Sequence, residues 1–126
     1  VASELADFLL ARIAEDEALA RTAGGAIRPP YPRWTFRTNN EGVRRSDGVP
    51  VTRHTWPQEA AHITRHDPTR VLAECDAKRR IAELHFPRSS NPNICNEDED
   101  VLPCQTQRLL ALPYADHPDC RKEWKP

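Results

Sequence analysis

Asp67-Pro68-Thr69-Arg70-Val71-Leu72-Ala73-Glu74-Cys75-Asp76-Ala77-Lys78-Arg79-Arg80-Ile81-Ala82-Glu83-Leu84-His85-Phe86-Pro87 carries the firmest helical pattern of the chain. Asp67 is a strong N-cap, and Pro68 is preorganised for the first helical position. Val71, Cys75 and Ala82 fall within a narrow arc at helical spacing, flanked by Leu72 and Phe86, with Asp76, Arg80 and Glu83 opposite. The pattern predicts one amphipathic helix running to about His85, and Pro87 forbids its continuation. Cys75 sits mid-stripe and reads as a small core residue rather than a ligand.

Working outward toward the N-terminus, Thr55 or Trp56 caps a short helix with Pro57 in its first turn and Gln58 as capping-box partner. It carries Ala60, Ala61 and Ile63 and ends by His66. Before it, Pro29-Pro30 and Pro32 exclude helix, and Arg33-Trp34-Thr35-Phe36-Arg37 alternates with period two. Asn39-Asn40-Glu41-Gly42 and Ser46-Asp47-Gly48 are turn signals, so strands near 43–45 and 49–54 complete a predicted antiparallel meander. Ser3 caps a first helix with Leu5, Phe8, Leu9 and Ile13 on one face, stopped by Gly24-Gly25.

Toward the C-terminus, residues 88–103 read as a polar loop. A last helix starts near Cys104 and carries Leu109, Leu110 and Leu112 until Pro113 kinks or ends it, and Trp124 folds back as a terminal anchor. The expected fold is α+β: an N-terminal helix, a small β-meander, then three helices with an irregular loop between the last two. With 126 residues the chain is read as one domain, divided into 1–25, 26–56 and 57–126.

Composition narrows the function classes. No run approaches the roughly 20 apolar residues of a membrane span, and no signal-peptide pattern is present, so a cytoplasmic protein is expected. In that compartment the four cysteines should be reduced or metal-bound. Fifteen arginines against three lysines, with abundant Ala, Asp and Pro, suggest a GC-rich bacterium or its phage. The net charge of −1 argues against a dedicated nucleic-acid binder. Only 38% of residues are apolar and 12 are prolines, so something besides a hydrophobic core is expected to staple part of the chain.

The staple is sought among Cys and His. His85 closes the central helix, and Cys95 and Cys104 bracket the acidic loop that follows. Thiolate and imidazole suit zinc, which takes four ligands tetrahedrally in structural sites. Asp98, three residues after Cys95, stands where a Cys-x-x-Cys knuckle would place its second thiolate. His54, His62, His66, His117 and Cys120 are other candidates for the fourth position, and the competing reading is a loop with two ordinary thiols. Glu97 to Asp100 also suits a helix N-terminus electrostatically, but it lacks the glycine and distal glutamate of a calcium loop.

Other chemistry finds less support. His62 and His66 are spaced like half of a zincin motif, but Ile63 follows His62 where the glutamate base belongs. No glycine-rich phosphate loop, nucleophile elbow or Cys-His-Asn pattern occurs. Arg33, Arg37, Arg44 and Arg45, interleaved with Trp34 and Phe36, could contact phosphates and stack bases. The opposing reading has the aromatics facing the core and the arginines keeping a small sheet soluble and its edges unpaired.

From Ala61 onward the chain resembles an uncharacterised domain of unknown function from actinobacteria and their prophages. The residues carrying the likeness are His62-Ile63-Thr64-Arg65-His66-Asp67-Pro68-Thr69-Arg70-Val71-Leu72-Ala73-Glu74, Ala77-Lys78-Arg79-Arg80-Ile81, Pro103-Cys104, 108–119 and Glu123-Trp124. Leu5 to Glu17 is similar too. The resemblance implies a histidine after the central helix, a Cys-x-x-Cys pair and a Pro-Cys ahead of the last helix. These map onto His85, Cys95 and Cys104, with Asp98 in place of one cysteine. It implies no catalytic residue.

The expected function is a non-enzymatic interaction or regulatory module with an unknown protein partner and no membrane association. The expected cofactor is at most one structural zinc held by His85, Cys95, Asp98 and Cys104. The first alternative is a nucleic-acid-associated protein using segment 28–53. The second is an enzyme of unrecognised type using His62, His66 and the acidic loop.

Overall fold

The structure is a computed structural model and describes residues 3–25, 28–37 and 42–126. It is α+β, with α1 (Glu4–Gly24), β1 (Trp34–Phe36), β2 (Val43–Arg45), α2 (Pro57–Arg65), α3 (Pro68–Leu84), β3 (Pro87–Arg88), β4 (Asn91–Cys95) and α4 (Gln105–Ala111). Single 3-10 turns follow at Leu112–Tyr114 and Lys122–Trp124. No helix among the described residues is long and apolar enough to cross a membrane. Two compact units form, one from 1–15 with 75–126 and the other from 16–74.

In the second unit β1 and β2 form an antiparallel hairpin with Trp34 opposite Arg45, Thr35 opposite Arg44 and Phe36 opposite Val43. Pleat alternation leaves Trp34 and Phe36 half-buried and Thr35 exposed, and α2 packs on both strands. The third predicted strand is reduced to one bridge, Arg44 to Pro50. Pro50 has no N–H with which to extend a ladder. Gly42 has φ +93°, and a Cβ there would collide with the carbonyls of Thr52 and Arg53, so the close turn requires glycine. The Asn39 to Glu41 part of the predicted turn lies outside the described residues.

Asp67 organises this unit. It is fully buried at the N-terminus of α3; its Oδ1 accepts the Arg70 backbone N–H at 3.0 Å. Its Oδ2 accepts Arg33 Nε at 2.6 Å and the Trp34 backbone N–H at 3.2 Å. One carboxylate therefore caps the helix and ties it to the hairpin. Burial works to raise its pKa, but the Arg70 N–H, the Arg33 guanidinium and the Trp34 N–H outweigh it and hold the pKa below the ordinary value.

In the first unit Ser3 Oγ accepts the Ala6 N–H at 3.0 Å, capping α1 as expected. Leu5, Phe8, Ala111 and Trp124 form its hydrophobic cluster, with the Phe8 and Trp124 rings 5.3 Å apart. Trp124 thus anchors the C-terminal turn, and Arg108 ties the same turn down through the carbonyls of Pro103 and Glu123. Cys75 is 2% exposed, consistent with a core position on α3. The loop expected to be irregular contains a short antiparallel hairpin, β3 with β4. Polar composition concealed it, because Asn91-Pro92-Asn93 reads as turn rather than strand.

Candidate metal centre

The hairpin explains how distant residues meet. α3 stops at Leu84, and the strand that follows pairs Pro87 with Cys95. The Asn96 N–H donates to the Phe86 carbonyl at 2.8 Å, so His85 lies beside Cys95 although ten residues separate them. The chain then closes a tight loop: the Glu99 N–H donates to the Cys95 carbonyl and the Cys95 N–H to the Asp100 carbonyl. Glu99 takes φ +61° within it. Ile94 bridges Val101, and the Leu102 N–H donates to the Asn93 carbonyl, which returns the chain alongside β4 and delivers Cys104. Asp100 Oδ2 accepts the Gln105 N–H at 3.1 Å at the start of α4.

Four donor atoms converge as a result. One each from His85, Cys95, Asp98 and Cys104 lie within 4.8 Å of one another. His85 Nδ1 is 3.3 Å from Cys95 Sγ, 3.5 Å from Cys104 Sγ and 3.3 Å from Asp98 Oδ2. In a tetrahedral site with bonds of about 2.0–2.3 Å, neighbouring donors sit roughly 3.3–3.8 Å apart. The His85 separations match that edge length. A single Nδ1–H can serve only one of the three neighbours at a time, whereas a metal ion serves all four donors together.

Burial and hydrogen bonding fit the same use. Cys95 and Cys104 are 0% exposed and His85 8%. Asp98 closes the outer side, and its Oδ1 accepts the Asp100 N–H at 3.1 Å while Oδ2 faces His85. Burial tends to raise the Asp98 pKa, but the Asp100 N–H, the two thiols and the charge of His85 lower it overall. Burial, together with Cys95 and Asp98 nearby, pushes the Cys104 thiol up to about 11, against the Gln107 N–H. The raised Cys104 value favours its protonated thiol, and a cation bound there would displace that proton.

The structure brings together the four residues singled out by spacing. Other candidate ligands stand elsewhere: His117 Nδ1 accepts the Asp119 N–H, and its ring packs on Phe8. His66 Nδ1 contacts the His62 carbonyl of its own helix at 2.8 Å. Of the basic set, Arg33 is committed to Asp67 and Arg45 to Asp47, whereas Arg37 and Arg44 line an open recess with Thr35 and Ser46. Gln107 escaped sequence reasoning. It is 1% exposed, and its Nε2 donates to the His85 carbonyl at 2.8 Å. Its only signal was the capping-box spacing Cys104-x-x-Gln107.

The chain is α+β, with buried His85, Cys95 and Cys104 and the more exposed Asp98 gathered between α3 and α4. The chain belongs to a family of unknown function, DUF6221, whose model matches residues 2–126. This agrees with the resemblance to an uncharacterised domain family. No curated protein and no solved structure matches the chain.

Proposed function

We propose that the protein is a non-enzymatic interaction module whose C-terminal unit is clipped by one structural zinc ion, held by His85 Nδ1, Cys95 Sγ, Asp98 Oδ2 and Cys104 Sγ. The observation that carries this reading is the convergence of four donors within 4.8 Å of one another, with His85 Nδ1 at tetrahedral edge length from the other three. Two thiolates and an imidazole favour zinc over magnesium or calcium, which prefer oxygen. Four protein donors would fill the coordination sphere, the pattern of a structural rather than a catalytic site.

The clip would also fix a surface. Leu84 and Phe86 flank His85 and are 53% and 49% exposed, and Val101, bridged to Ile94, is 62% exposed. Apolar side chains held out by a rigid loop suit contact with a protein partner. Zinc analysis of purified protein tests the reading, with about one ion per chain expected and a melting temperature that falls on chelation. Metal-free protein whose melting curve ignores the chelator would remove it.

A further inference from the structure

We infer that Gln107 is a positioning residue for the metal centre, holding its ligand His85 from behind; the inference rests on the zinc reading above. Gln107 reaches the backbone of His85 from the first turn of α4. Its side-chain Nε2 donates to the backbone carbonyl of His85 at 2.8 Å. This contact fixes the residue that leaves α3.

The choice of residue is otherwise hard to understand. Gln107 is 1% exposed, and its Oε1 is buried with no hydrogen-bond partner. Burying an amide with half of its capacity unused is unfavourable, and an apolar side chain of similar volume would pack there without that cost. The amide cannot be turned over, because Oε1 would then face the His85 carbonyl oxygen. What glutamine adds at this position is a donor aimed at the backbone of a ligand. Partners behind metal ligands set their orientation, and their loss commonly lowers metal affinity ten- to hundredfold.

Gln107→Met keeps the volume and the backbone N–H but removes the side-chain donor. Wild-type and variant chains are titrated with Co(II), then with Zn(II) against a competing chelator, and their metal-free forms are melted. The wild type should take one Co(II) with a thiolate-to-cobalt charge-transfer band. The variant should keep that band, because both thiolates still bind, while its Zn(II) affinity falls about tenfold to a hundredfold. Its metal-free melting temperature should stay near that of the wild type.

Equal Zn(II) affinity in the two chains overturns the role of Gln107 alone. So does a fall in metal-free melting temperature with unchanged affinity, which marks a purely structural residue. A wild-type chain that binds neither Co(II) nor Zn(II) overturns the metal reading and this inference with it. Should the variant fail to fold, amide exchange in the wild type decides. Protection of the Gln107 side-chain NH2 should rise on Zn(II) loading, and identical exchange with and without metal overturns the inference.

Discussion

Each of the two units has a buried polar centre, and the two centres are built in opposite ways. Around Asp67 the chain supplies the complement itself, with a guanidinium and two backbone N–H groups on one carboxylate. Around His85 it gathers two sulfurs, an imidazole and a carboxylate, all able to offer lone pairs to the same point. The first centre is closed by protein alone. The second gathers donors that a cation could complete, and that difference separates a structural cap from a candidate metal site.

The largest effect should come from breaking the second centre. Cys104→Ser should abolish stoichiometric zinc binding, because serine is a poor zinc ligand and apparent affinities of structural zinc sites reach about 10 kcal/mol or more at neutral pH. Hydrogen exchange should then show lost protection across 85–105, with strands β1 and β2 little changed. Loss spread equally over both regions would break the comparison. Next in size, Asp67→Ala should destabilise the other unit by about 2 kcal/mol, from a lost cap and stranded donors. Chemical denaturation measures this, and Asp67→Asn should recover part of it because asparagine also caps.

Asp98→Cys should sharpen the contrast by strengthening the weakest ligand. Zinc affinity should rise by about tenfold, roughly 1.4 kcal/mol, in a chelator competition. A smaller effect concerns acid. The folded pKa of Asp67 lies below its ordinary value. Its contribution is therefore fully present above about pH 4 and is lost as the pH falls through the folded pKa. Because Arg33 is largely exposed, the contribution is modest. The acid limb of the stability profile should be flatter in Asp67→Asn than in the wild type. Smallest of all, the Arg37→Ala, Arg44→Ala double variant should change stability by no more than about 0.5 kcal/mol per site. Any nucleic-acid affinity that depends on the basic segment should be salt-sensitive and fall in that variant. Affinity retained there would count against the segment as a binding surface.

What was legible in the sequence follows from how local each signal is. Asp67-Pro68, Pro87 and the Val71, Cys75, Ala82 arc act within one helix, so α3 could be read directly. Ser3 and Gly25, with φ +72° at the latter, likewise marked the ends of α1. The donor set was legible because His85, Cys95 and Cys104 flank one loop and Asp98 stands at knuckle spacing. The hairpin that brings them together was not legible, since its strands are two and five residues long and contain Pro87 and Pro92. Arg33 on Asp67 joins residues 34 apart in sequence, and Gln107 on His85 joins residues 22 apart. No periodicity reports contacts of that kind.

Metal content of the purified protein, measured together with its melting curve before and after chelation, tests the central claim most directly. About one zinc per chain is expected, with a lower melting temperature once the ion is removed. Protein that carries no metal, binds none on addition of Zn(II) and melts unchanged in chelator would contradict it.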